Sequence, residues 1–237
     1  MATLLSALET QTRRHLLEST ASYWSSAELI DIMNQGIKDL WRDIVDLKQE
    51  HFLTNDTTNV TMAASTATLT GVPADVHKVY LIEPVDSTAN STNKGLVFAP
   101  LDYNHKYFQA ARTLSAVDPS NNQIYYSVTG AGAPTGSSST VVYVAPQVNS
   151  AVSLRFVYVP SLVAKTSTDI NPIPGESDNA LIAWTVAFGR AKEREDRSPD
   201  PNWISIFATE KAHILQSLGM RQYHEPLLVD ALYEENW

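Results

Sequence analysis

The chain has 237 residues, a formal net charge of −9 and no cysteine. A hydrophobic share of 43% is enough for a packed core and excludes global disorder. The acidic balance excludes a basic nucleic-acid binder, and the missing cysteine excludes a disulfide framework, a thiolate metal site and a Cys nucleophile.

The first residues carry neither a basic region nor a long apolar run, and no stretch approaches the roughly 18 apolar residues of a membrane helix. The expectation is a soluble protein that stays inside the cell that makes it. The Asn-x-Thr triplets at Asn55, Asn59 and Asn90 then read as Thr-rich loop and strand composition.

In chain order, residues 3–18 are predicted helical, with Leu4, Leu5, Leu8, His15 and Leu16 spaced for one face. After a break at 19–22 come Tyr23 and Trp24, then Ser25 with Glu28 three residues on, the pattern of a capping box. The next helix, 27–48, has an apolar stripe at Leu29, Met33, Ile37, Leu40, Ile44 and Leu47, widened by Ile30, Trp41 and Val45.

From Phe52 the period changes. Strands are predicted over 77–83, 96–98, 123–128, 140–145 and 151–159, and a short surface helix over 101–112. Gly71-Val72-Pro73-Ala74-Asp75 and 118–122 are turns. Residues 160–174 form a Pro-rich stretch, and the segment 160–176, rich in Pro, Ser and Thr with few apolar anchors, reads as a linker that proteases should cut first. Helices then return, one with a face of Leu181, Trp184, Phe188 and Ala191, and a last one capped by Asp200 with Pro201 at its first position.

The expected fold is α+β: a four-helix bundle built from N- and C-terminal helices, with an inserted antiparallel β-sandwich or barrel. The expected layout is 1–51 for the N-terminal helices, 52–160 for the β domain, 161–222 for the C-terminal helical hairpin and 223–237 for an extended arm.

No constellation points to catalysis. His77, His105, His213 and His224 have no ligand spacing and read as surface or locally satisfied residues. Asp75, Glu83, Asp86 and Asp102 flank the β region, where a carboxylate pair of the glycosidase type would be set in space rather than in sequence. Gly130-Ala131-Gly132-Ala133-Pro134 lacks the strand-then-helix context of a phosphate loop. Tyr103, Tyr107, Phe108, Tyr125 and Tyr126 fit a stacking face for sugars or bases, or core and oligomer contacts. No cofactor or metal is expected.

The tail is more informative. Residues 222–237 contain Glu225, Asp230, Glu234 and Glu235 and no Lys or Arg, together with Tyr223, Leu227, Leu228, Leu232, Tyr233 and Trp237. That much apolar surface either packs on its own domain or docks on a partner.

Four local patterns occur in a familiar order: the run 24–41 with Trp24, Ser25, Glu28, Asn34, Gly36, Leu40 and Trp41; the turn Gly71 to Asp75 entering a strand at Val79, with Val76 where an aromatic is usual; Val142 to Pro146 followed by Leu154 to Pro160; and the acidic turn Ile173 to Asp178 opening a helical hairpin. Together they resemble the head-to-tail adaptor, or connector, proteins of tailed and especially short-tailed bacteriophages.

The resemblance implies a structural virion protein at the neck. It would form a ring, commonly of twelve, between the portal protein and the tail nozzle protein, with genomic DNA passing through unbound. It also implies that Tyr223, Leu227, Leu228, Leu232, Tyr233 and Trp237 meet the portal. A virion-associated cell-wall hydrolase and a carbohydrate-binding tail module are the alternatives.

Overall fold

The computed structural model describes residues 3–18, 23–57, 60–85, 95–120, 122–130, 140–173, 175–194 and 198–220. The chain forms two compact units, one of Met1–Gln49 with Ala164–Trp237, the other of Glu50–Val163.

In the first unit, α1 (Leu5–His15), α2 (Ser26–Lys48), α4 (Asp178–Glu193) and α5 (Pro201–Met220) are arranged around α4. The capping box forms: the Glu28 N–H donates to Ser25 Oγ at 3.2 Å, and the Ser25 N–H donates to the Glu28 carboxylate at 3.0 Å. The stripe of α2 is buried from Leu29 to Val45, while Leu47 stays 54% exposed at its end.

In α4, Ala180, Leu181, Ile182, Ala183, Thr185, Val186, Ala187, Gly189 and Ala191 are all buried, on every side of the helix. A helix apolar all round belongs in an interior, and α4 touches α1, α2 and α5. The start of α5 is held by Asp200, whose Oδ1 accepts from the Asn202 N–H at 3.0 Å.

The stretch expected to be a labile linker is tied down. The Leu5 and Ser6 N–H groups donate to the Asp169 and Ser167 carbonyls at 3.0 Å, and the Asn171 N–H donates to Thr3 O at 2.9 Å. Thr3 Oγ1 then donates to Asp178 Oδ2 at 2.6 Å, and Asn171 Nδ2 to Asp178 Oδ1 at 2.9 Å, at the first residue of α4.

The second unit contains β1 (Thr54–Asp56), β2 (Thr61–Met62), β3 (Val76–Pro84), β4 (Val97–Pro100), α3 (Lys106–Arg112), β5 (Gln123–Thr129), β6 (Val141–Ala145) and β7 (Val152–Pro160). The long strand β7 pairs antiparallel with β3 on one edge and with the short β1 and β2 on the other. Its alternation is the clearest in the chain: Val152, Leu154, Phe156 and Tyr158 all face the core. The second sheet has the order β4-β5-β6, with β4 and β5 parallel. Ile124, Tyr126, Val142 and Val144 from this sheet share one core with the β7 residues.

The architecture corrects the expected one. The described residues form five α-helices and two small sheets, of four and three strands, rather than a four-helix bundle carrying an antiparallel sandwich or barrel; the mixed α+β class stands. Two physical reasons account for the difference. The connection 101–122 is long enough for a crossover, and it brings β4 alongside β5 in parallel with α3 laid over the sheet, Phe108 and Ala111 against Ala145. The helices, for their part, do not share a common apolar centre: α4 itself occupies it.

Candidate functional site

The run 24–41 places three contacts within the first unit. Trp24 is 3% exposed and lies beside Gly189, with its indole Nε1 3.7 Å from where a Cβ would stand. Asn34 reaches Lys165: its Nδ2 donates to the Lys165 carbonyl, and its Oδ1 accepts from the Lys165 N–H, both at 2.8 Å. Gly36 lies against Trp184, where an added Cβ would be 2.9 Å from the indole Cγ and Cδ1.

Upstream, Arg13 is 6% exposed and fully engaged. Its Nε donates to Glu9 at 2.9 Å, one terminal nitrogen donates to Glu18 at 2.9 Å and to the Trp24 carbonyl at 3.0 Å, and the other reaches Ser26 Oγ at 3.3 Å. This clamp fixes the end of α1 to the start of α2. Sequence reading missed it; the signal was the four-residue spacing of Glu9 and Arg13 on the same face as Leu8, Thr12 and Leu16. The Asn34–Lys165 and Gly36–Trp184 contacts left no signal, because their partners are far apart in the chain.

A cleft of about 730 Å³ opens where α1, α4 and α5 end or begin, lined among others by His15, Tyr23, Arg190, Glu193, Arg194 and Asp200. Arg190 and Arg194 stand 3.8 and 3.7 Å from Asp200, so both guanidinium groups are answered from within the unit. Arg190 also lies over the Trp203 ring at 5.6 Å, and His15 meets that ring edge-on at 5.1 Å.

Asp75 and Glu83 do not converge. Asp75 accepts from the Tyr158 hydroxyl at 3.2 Å, while Glu83 pairs with Arg155 at 2.9 Å, further along β7. Asp75 directly precedes β3 and Glu83 lies at its far end, eight residues on, so strand rise separates them by about 25 Å, well beyond the roughly 5–9.5 Å of a glycosidase pair. Burial first, then the Asp75 charge, pushes the Tyr158 hydroxyl up to about 12. Asp102 is exposed beside a small cleft with Pro100 and Tyr126, and Asp86 lies outside the described residues.

The described histidines are dispersed, and His224 lies outside the described residues. His105 Nδ1 accepts from the Tyr107 N–H at the start of α3, while His77 and His213 are exposed on β3 and α5. Among the described residues no group of three or more His, Cys, Asp or Glu side chains could hold a metal ion. The aromatics split by role: Tyr103, Phe108 and Tyr143 pack together under α3, with ring centroids 4.9 and 5.6 Å apart, and Tyr107 stands 61% exposed. Tyr223, Leu227, Leu228, Leu232, Tyr233 and Trp237 lie outside the described residues.

What the described surface offers is therefore helix faces and exposed aliphatic side chains rather than convergent chemistry. Among the described residues no helix is long and apolar enough to cross a membrane. No curated protein matches the chain. A family model described as SU10 adaptor protein matches residues 3–230, nearly the whole length, and bears out the resemblance to phage head-to-tail adaptors. Adaptors of this kind are structural rather than enzymatic proteins of the virion neck, in contact with other neck and tail proteins. The chain belongs to the SU10 adaptor protein family.

Proposed function

We propose that the protein forms a ring between the portal and the tail nozzle, completing the DNA channel and providing the seat for the tail. The observation that carries this reading is the family match across both units, residues 3–230. The charge agrees with it: subunits with a net charge of −9 keep phosphate affinity low along a path that DNA must leave. The test is co-expression with the portal protein and mass measurement of the purified complex. A portal complex carrying many copies of this chain supports the reading, and a chain that never co-purifies with portal overturns it.

The portal contact in this proposal is the C-terminal segment 223–237, through Tyr223, Leu227, Leu228, Leu232, Tyr233 and Trp237. Fully burying one large apolar side chain is worth roughly 1.5–3 kcal/mol, and a ring repeats the gain as avidity. The acidic residues of the segment call for a basic groove, so binding should weaken with salt. Deletion of 223–237 should leave a folded protein by circular dichroism that no longer captures portal. Full-strength capture would move the contact elsewhere, and an unfolded product would make the segment part of the core.

A further inference from the structure

The outward faces of α1 and α5 differ from that of α2. The exposed side of α2 is studded with charge, at Asp31, Lys38, Arg42 and Asp46. The exposed side of α1 presents Ala7, Thr10, Gln11 and Arg14, with Leu4 45% exposed at its start beside Ile170, 51% exposed, across a β-bridge. The other charged pair of α1, Glu9 and Arg13, is buried. The exposed side of α5 presents Ile206, Thr209 and His213, and the only charged residues of that helix are Glu210 and Lys211.

Lys211 is turned inward, 2.7 Å from Asp39 and 2.5 Å from Asp43. Each outward side thus has one charge with no partner among the described residues, the exposed Arg14 on α1 and the half-buried Glu210 at the edge of the α5 face, and the two are opposite in sign. The helices pack on separate sides of α4. Gly189 meets Leu16 at the end of α1, and Trp184 meets Phe207 of α5. These α4 residues are five positions apart, about 140° around a helix of 3.6 residues per turn.

We infer that the outward faces of α1 and α5 are the two halves of one contact between neighbouring copies, the α1 face of one subunit docking on the α5 face of the next. This rests on the ring reading above and names the surface that would build it. A closed ring requires a contact between two different faces, since a face that meets itself stops at a dimer. Two copies that each carry −9 approach with least repulsion where both faces are nearly free of charge. Depletion of charge is also the compositional mark of an interface core. The Arg14–Glu210 pair supplies orientation.

The absence of cysteine makes the test clean. Gln11→Cys and Thr209→Cys are introduced together and singly into the full chain, which is assembled on portal and treated with a bismaleimide. The double variant should give a ladder of covalent oligomers, and each single variant should stay monomeric. In a second measurement Arg14→Glu and Glu210→Arg should each cut the ladder at least tenfold in the double-cysteine background, and combining them should restore it. A dimer from either single-cysteine variant, or a ladder indifferent to both charge reversals, overturns the assignment. A wild-type chain that never assembles beyond one copy defeats the ring reading along with it, whereas a ring that gives no ladder defeats this inference alone.

Discussion

Asn34 and Lys165, 131 residues apart, are joined by two hydrogen bonds of 2.8 Å, one in each direction, so that a side-chain amide on α2 takes the place of a neighbouring strand. The Lys165 peptide is held at the point where the chain re-enters the helical unit. Removing the amide leaves backbone groups unsatisfied, at about 1–3 kcal/mol. Asn34→Ala should therefore lower stability by that amount and expose the peptide bond after Lys165 to trypsin. Time-resolved digestion checks this: the wild-type chain should resist cleavage there and the variant should be cut early.

Gly36 is required by the indole of Trp184. That ring cannot retreat, because its Nε1 donates to the Ile32 carbonyl at 3.1 Å and its faces meet Phe188 and Phe207 at 4.6 and 4.8 Å. Gly36→Ala gains about 1 kcal/mol of helix propensity and incurs about 1–3 kcal/mol of overpacking. A net loss of up to about 2 kcal/mol is expected in a urea titration, and a net gain would mean the two helices separate easily.

The buried stripe of α2 separates neighbours in sequence. Ile37 is 1% exposed and Lys38 is exposed. Ile37→Asp places a carboxylate in the core and should cost more than about 4 kcal/mol, enough to unfold the unit. Lys38→Ala should change stability by less than about 0.5 kcal/mol. Comparable denaturation midpoints for the two variants would contradict the assignment of the face.

Arg13 and Arg42 offer a second contrast. The Arg13 side chain is 8% exposed and pairs with both Glu9 and Glu18, which are nearly as buried as it is; that of Arg42 is 65% exposed beside Asp39. Truncating one partner of a buried ion pair costs about 3–5 kcal/mol, and an exposed pair contributes about 0–1 kcal/mol. Arg13→Ala should lower the melting temperature strongly and Arg42→Ala barely. Arg13→Ala together with Glu9→Ala and Glu18→Ala should recover part of the loss, because no unpaired charge then stays inside.

Glu28 links α2 to α4 and sets a pH response. The hydrogen bond from Lys192 at 2.7 Å, then those from the Ser25 N–H and hydroxyl, pull its carboxyl from 4.5 down to about 2. Between those values the unfolded chain holds the proton and the folded chain does not, so this contribution is complete above about pH 4.5 and is lost as the pH falls through about 2. Melting curves from pH 6 to pH 2 should fall less steeply for Glu28→Gln than for the wild type. Parallel curves would show that the carboxylate makes no difference to folding.

Local features were legible in the amino-acid order because they depend on near neighbours. Ser25 and Glu28 cap α2 across one turn, Asp200 and Pro201 open α5, and the alternation from Val152 to Tyr158 marks a half-buried strand whatever lies beside it. The family signature was legible for the same reason, as a succession of such local patterns. Tertiary structure decided the rest. Only the folded chain shows that α4 is buried on all sides, since its periodicity marks one face as readily as several. Only the crossover through α3 makes β4 parallel to β5, because a strand's composition says nothing of its direction. The bulges of β3, which leave Tyr80 and Leu81 both exposed, come from its register on β7, and register belongs to the pair rather than to either strand. Hydrophobic period is a property of one segment and survives in its sequence, whereas pairing, direction and close approach are properties of two segments and exist only once the chain has brought them together.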